Sequence, residues 1–187
     1  MKKIIALALS LTLLLGCVSA LAETAKQETL TMPGAFSVKY PALPGYYSFT
    51  VEENNEMSYR MMITPKEAGK PVLLLTIDFN DEWYGVNTLA DATEEDMAAL
   101  RADFYNVTEL NDGEIVFEET QTNAGIPVLV ARAADGSFGA VYTIYMSHEI
   151  EIDIFPNAGI DGINEEAVQA VLAFLGDAEF VPLETKE

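Results

Sequence analysis

The chain has 187 residues, half of them apolar, with 10 basic against 30 acidic side chains, one histidine and one cysteine. A net charge of −20 repels phosphate backbones and anionic lipid head groups, which excludes nucleic acid as a partner. A single cysteine cannot close an intramolecular disulfide, and a single histidine rules out a histidine-pair metal site or a two-histidine catalytic arrangement.

Lys2-Lys3 precede an apolar run from Ile4 to Leu15 that only Ser10 and Thr12 relieve. The run is shorter than the roughly 20 residues of a membrane span, so residues 1–22 read as a secretory signal. Two exits are written into it. Ala20-Leu21-Ala22 before Glu23 is a small-residue cleavage site that releases a soluble protein. Leu14-Leu15-Gly16-Cys17 resembles a bacterial lipobox, in which Cys17 carries the lipid anchor. Soluble release is the expectation and the lipoprotein its alternative; in both the protein is exported, to the cell envelope or the medium. Removing 22 residues leaves 165 of the 187, one domain's worth of chain, and takes away Lys2 and Lys3, so the charge moves from −20 to −22.

Residues 23–35 are polar and aperiodic and are expected to be a flexible leader. A single domain is expected over 36–180, with a tail over 181–187. Phe36–Tyr40 alternates as a short strand ended by Pro41, and Pro44-Gly45 is turn chemistry. Tyr47, Phe49 and Val51 mark a second strand, Glu52–Glu56 a solvated turn, and Tyr59, Met61 and Ile63 a third strand. Val72–Phe79 is apolar on both faces, which predicts an interior strand covered on both sides.

A first helix is predicted over Thr93–Tyr105. Thr93 and Asp96 approximate a capping box, and Met97, Leu100 and Phe104 form one apolar stripe. A second is predicted over Glu165–Leu175, capped by Asn164, stopped by Gly176 and buried through Val168, Val171, Leu172 and Leu175. Ile115–Gln121 and Ile126–Arg132 flank the turn Asn123-Ala124-Gly125. The stretch Gly139–Phe155 alternates for too long to be one strand, so it is read as a hairpin reversing near Ser147-His148. Its second arm carries Ile150, Ile152 and Ile154 on one face and Glu149, Glu151 and Asp153 on the other. Tight turns join antiparallel neighbours, so the fold class is α+β: an antiparallel sheet of about eight short strands covered by two helices.

Particular residues add a resemblance. Phe36-Ser37-Val38-Lys39-Tyr40-Pro41 resembles the F-x-x-x-Y-P opening of PsbP-like proteins, Asn123–Val128 their mid-domain glycine turn, and Val171–Leu175 the end of their terminal helix. The resemblance covers roughly 36–180. It implies an α/β/α sandwich used as an accessory or assembly factor, with no shared catalytic residues.

Five groups of side chains are weighed as sites. Asp78, Asp81 and Glu82 offer oxygen ligands to a cation, but Trp83 and Leu89 stand where an EF-hand needs glycine and glutamate, so an acidic connection is expected and no metal. Trp83 and Tyr84 beside Gly85 offer a stacking surface to a partner or ligand, against the commoner role of covering the core. Ser147-His148 point to opposite faces of a strand and form no nucleophile–base pair, which leaves His148 as a solvated turn residue. Glu149, Glu151 and Asp153 are spaced for carboxylate chemistry but are expected to be a hydrated face. Asn106-Val107-Thr108 fits a glycosylation sequon, discounted because the signal reads as bacterial. No catalytic residue or cofactor is therefore assigned. The expectation is an exported, non-enzymatic domain that binds another envelope or secreted protein. The alternatives are a small-ligand or cation carrier using the acidic surface and the Trp83-Tyr84 loop, and a carboxylate-dependent hydrolase.

Overall fold

The structure, a computed structural model, describes residues 27–32, 35–43, 45–52, 58–83, 85–108, 114–159 and 162–183, without the side chains of 47–52, 82 and 107. The signal segment with Cys17, the turn at Pro44, the loop residue Tyr84 and the Glu82 side chain lie outside the described residues.

Ten strands and two α-helices are described: β1 Gln27–Met32, β2 Phe36–Pro41, β3 Tyr46–Glu52, β4 Ser58–Pro65, β5 Val72–Phe79, α1 Glu94–Thr108, β6 Ile115–Gln121, β7 Pro127–Ala133, β8 Gly139–Tyr145, β9 His148–Phe155, α2 Glu165–Gly176 and β10 Glu179–Pro182. The α+β class and antiparallel pairing hold, but the strands form two sheets where one was expected. A seven-stranded sheet runs β3-β4-β5-β9-β8-β7-β6, and a three-stranded sheet runs β1-β2-β10. One extra strand, β1, comes from the expected leader, and the other, β10, straddles the expected domain end at residue 180. Gln27–Met32 has only Leu30 and Met32 as apolar signals, yet pairing with Phe36–Pro41 aligns both inward and buries them.

The hydrophobic interior is split by the large sheet. On one face Tyr59, Met61, Ile63, Leu73, Leu75, Ile77, Ile150, Ile152 and Ile154 meet the small sheet and α2. On the other, Leu129, Ala131, Ala140, Tyr142 and Ile144 meet α1 through Met97, Leu100 and Phe104. The helices therefore lie on opposite faces, because Leu129 and Ala131 alternate with Val128 and Val130 along one strand. β5 is interior as predicted, but its second face is only half-buried at Val72, Leu74 and Thr76, since α1 does not reach that far.

The helix ends are built as the sequence suggests. Thr93 N donates to Asp96 Oδ2 at 2.7 Å and Asp96 N to Thr93 Oγ1 at 3.2 Å, a reciprocal capping box with Asp in the third position. Asn164 Oδ1 accepts from Ala167 N at 3.0 Å. Gly176, expected to stop α2, is its last residue and serves packing instead: a Cβ there would collide with Asn123 Oδ1. Among the described residues no helix is long and apolar enough to cross a membrane.

Candidate functional site

The β8–β9 hairpin positions the site. Tyr145 pairs with His148, leaving Met146 and Ser147 as a two-residue turn with φ of 50° and 61°. This left-handed geometry is normally the province of Asn-Gly, so the turn is held from outside. Met146 N donates to Asn87 O at 3.1 Å, Ser147 N to Val86 O at 3.0 Å, and Gly85 N to Ser147 Oγ at 3.2 Å. Residues 85–88 are thereby clamped to the hairpin tip, and Asn80 and Trp83 lie over the start of β9.

There both residues find one acceptor. Trp83 Nε1 donates to Glu149 Oε1 at 2.6 Å and Asn80 Nδ2 donates to the same oxygen at 2.8 Å. Trp83 is buried among Leu89, Met97 and Ile144. This corrects the stacking-surface reading for Trp83: the ring covers the core and its N–H, which must be satisfied when buried, is satisfied by Glu149. His148 is corrected as well. It is 5% exposed, its ring edge-on to Phe36 and Phe79, and Nδ1 donates to Met146 O at 2.8 Å. The turn ends one residue earlier than expected, and β9 pulls His148 into the first core.

Glu149, Glu151 and Asp153 share a face of β9, as their alternation requires, but the face is half-buried where a fully hydrated one was expected. Register explains the crowding. Asp78, Thr76 and Leu74 of β5 lie opposite Glu149, Glu151 and Asp153, while Ile144, Tyr142 and Ala140 of β8 lie opposite them on the other side. Asp78 thus faces Glu149 directly, a like-charge pairing that a sheet tolerates only at a cost. The carboxyls of Glu151 and Asp153 lie within hydrogen-bonding reach of each other. Burial, then Asp153, Glu149 and Asp78, push Glu151 up to about 8. Burial also raises Asp153, and the Glu151 hydrogen bond acts in the opposite sense. The pair therefore titrates as a unit that holds one proton near neutrality.

Tyr142 is 2% exposed, and its hydroxyl lies beside Glu149 and Trp83. Burial foremost, then Glu149, pushes the phenol pKa up, yet the hydroxyl makes no hydrogen bond of proper geometry. Asp78 Oδ1 is likewise buried without a partner, while Oδ2 lies 4.0 Å from Arg60 Nη2. Among the described residues Arg60 is the cation of this half of the sheet.

The proposed metal ligands do not come together as a loop. Asp78 belongs to the sheet face and Asp81 is exposed on the 3-10 turn Asp81–Trp83. Among the described residues no group of three or more His, Cys, Asp or Glu is placed to hold a metal ion. A groove of about 830 Å³ lies elsewhere, between the start of α1 and β6–β7; of its charged members, Arg101 and Glu119 pair with each other and Glu94 stands at the start of α1.

Tyr142, Asn80 and the β5 acid Asp78 were not recognised from sequence as neighbours of the β9 acids. The signal was available: a turn at Met146-Ser147 in place of Ser147-His148 sets Tyr142 opposite Glu151. No protein-family model matches the chain, and no curated protein matches it.

Proposed function

We propose that this is an exported, non-enzymatic binding domain that meets a basic protein partner in the envelope or outside the cell, through the acidic face of β5 and β9 in its large sheet. The observation that carries the reading is the gathering of Asp78, Glu149, Glu151 and Asp153 from two adjacent strands beside α1, where the face is half-buried and Arg60 is the described cation. Acids so placed repel one another, and a partner's positive charge relieves that repulsion as it docks. The segment 1–22 supports export, with Ala22 or the lipobox at Cys17 as the processing point. The order of elements, the Phe36–Pro41 opening and helices on opposite faces of an antiparallel sheet support a PsbP-like α/β/α sandwich, whose members serve as accessory factors. Fold likeness alone does not carry function; the acidic face does.

Carbodiimide cross-linking in the native envelope tests the reading. The wild-type chain should give a discrete product that the combined variant Asp78→Asn, Glu149→Gln, Glu151→Gln, Asp153→Asn loses. An identical product from the variant would refute the acidic face as the docking surface. Intact mass of the exported protein checks the other half: a chain starting at Glu23 or an acylated Cys17 is expected, and a retained Met1 would sink export.

A further inference from the structure

We propose that an apolar pocket between β8 and β10, where the large and small sheets meet, binds a small, neutral aromatic molecule. The site is separate from the acidic face and does not rest on it.

The pocket holds about 230 Å³ beside the turn that joins β6 to β7. Ala124 and Gly125 of that turn line it, with Pro127, Thr143 and Tyr145 of the large sheet and Phe180 of the small one. Gly125 holds φ at 81°, and a Cβ there would meet nothing within 4 Å, so the turn leaves the space beside it clear.

The polar groups around the pocket already have partners. Thr143 Oγ1 donates to Pro127 O at 2.7 Å, and Thr88 Oγ1 donates to Asp91 Oδ2 at 3.1 Å. In the turn, Gly125 N donates to Thr122 O at 2.9 Å and Ile126 N to Thr122 Oγ1 at 3.2 Å. Pro127 has no N–H to offer. A charged or strongly polar ligand would therefore shed its water and gain no hydrogen bond in return. A carboxylate would also meet the repulsion of a chain with net charge −20. Burial of apolar surface is the attraction that remains.

The walls favour a ring over an alkyl chain. The Tyr145 and Phe180 rings lie 4.9 Å apart at 39°, and Phe36 stands edge-on to Tyr145 at 5.0 Å. Such a cluster accepts one more ring in offset or edge contact, an attraction that an alkyl group lacks. Size agrees. An apolar cavity of about 150 Å³ takes benzene, so this pocket has room for a fused bicycle such as indole. Its occupant touches β8 in one sheet and β10 in the other, and so holds the two together.

Methyl NMR of the exported chain titrated with indole tests this. Saturable, single-site shifts are expected at the Ile126 and Thr143 methyls, with Tm rising as indole is added. Toluene should bind at the same place and benzoate at least tenfold more weakly. Ala124→Trp, at an exposed position on the rim, should fill the pocket and weaken indole at least tenfold without lowering the Tm of the free protein. Phe180→Leu keeps an apolar side chain but removes a ring, and should weaken indole roughly 2–10-fold. Shifts that fail to saturate, that fall away from those methyls, or that neither variant changes would overturn the site. Cyclohexane or benzoate binding as tightly as toluene would overturn the choice of a neutral ring. N-acetyltryptophanamide binding more tightly than indole would give the pocket to a partner's side chain and overturn the free ligand.

Discussion

The two faces of β9 are built from alternate residues of one eight-residue segment, and they obey opposite rules. Ile150, Ile152 and Ile154 are sealed in the apolar core between the large sheet, the small sheet and α2. Glu149, Glu151 and Asp153, one residue away each time, are half-buried among acids. The same backbone thus supplies both the centre of the core and its most strained electrostatics. Stability is concentrated on one side and a chemical capability on the other, and substitutions on the two sides should move stability in opposite directions.

The largest effect belongs to the apolar side. Ile152→Ala, at a position with 0% exposure, should lower unfolding free energy by about 2–5 kcal/mol in denaturant melts. Leu75→Ala, opposite it on β5 and also buried, should fall in the same range. A loss below about 0.5 kcal/mol at either site would mean that the side chain is not in a packed interior.

On the acidic side the sign reverses. Glu151 has its folded pKa raised, so the native state holds a proton that the unfolded chain has released. Its stabilising contribution is complete below the ordinary carboxylate range and disappears as pH climbs to about 8. Unfolding free energy should therefore decline across that window. Asp96 and Asp135, held below the usual range chiefly by hydrogen bonds from Thr93 and Ser137, act only at more acidic pH. Glu151→Gln should flatten the decline and raise stability at pH 8 by about 1–3 kcal/mol. A variant that melts at the wild-type temperature at pH 8 would show the acid to be well solvated.

Between the two faces sits Trp83, whose ring belongs to the second core and whose N–H belongs to Glu149. Trp83→Phe keeps most of the apolar surface and removes the donor, so a cost of about 1–2 kcal/mol is expected. If the donor to Glu149 accounts for that cost, it should shrink when Glu149→Gln is already present, a coupling that a double-mutant cycle reads.

The sequence was legible wherever periodicity and caps dominate. The apolar stripe of α1, the Thr93–Asp96 box, the Asn164 cap and the interior place of β5 all follow from local patterns. What escaped depends on partners far along the chain. β1 is a strand because Leu30 and Met32 meet Val38 and Phe36, not because its own composition favours one. The acids of β9 alternate like a solvated face; their burial comes from Asp78, Thr76 and Tyr142 on neighbouring strands and from Asn80 and Trp83 over Glu149, none of which periodicity reports. A one-residue error in the hairpin turn was enough to misplace His148 and hide the pairing of Tyr142 with Glu151.

The smallest expected effect separates a cation site from a charged surface. With 30 acids in the chain, millimolar calcium will screen repulsion whatever the site chemistry. Screening acts alike for calcium and magnesium and is reproduced by sodium chloride at matched ionic strength. A dedicated calcium site at Asp78 and Asp81 would instead stabilise the native state by RT ln(1 + [L]/Kd), about 2.7 kcal/mol at a hundredfold excess over Kd. In a domain near this size about 1 kcal/mol moves Tm by roughly 2–4 °C, so such a site would raise it by several degrees, with magnesium lagging because it demands tighter octahedral geometry. The placement of Asp81 on an exposed turn and Asp78 in the sheet favours screening alone. Thermal melts should therefore show equal, small shifts for both ions. A calcium-selective rise abolished by Asp81→Asn would overturn the screening outcome and make the turn a calcium site.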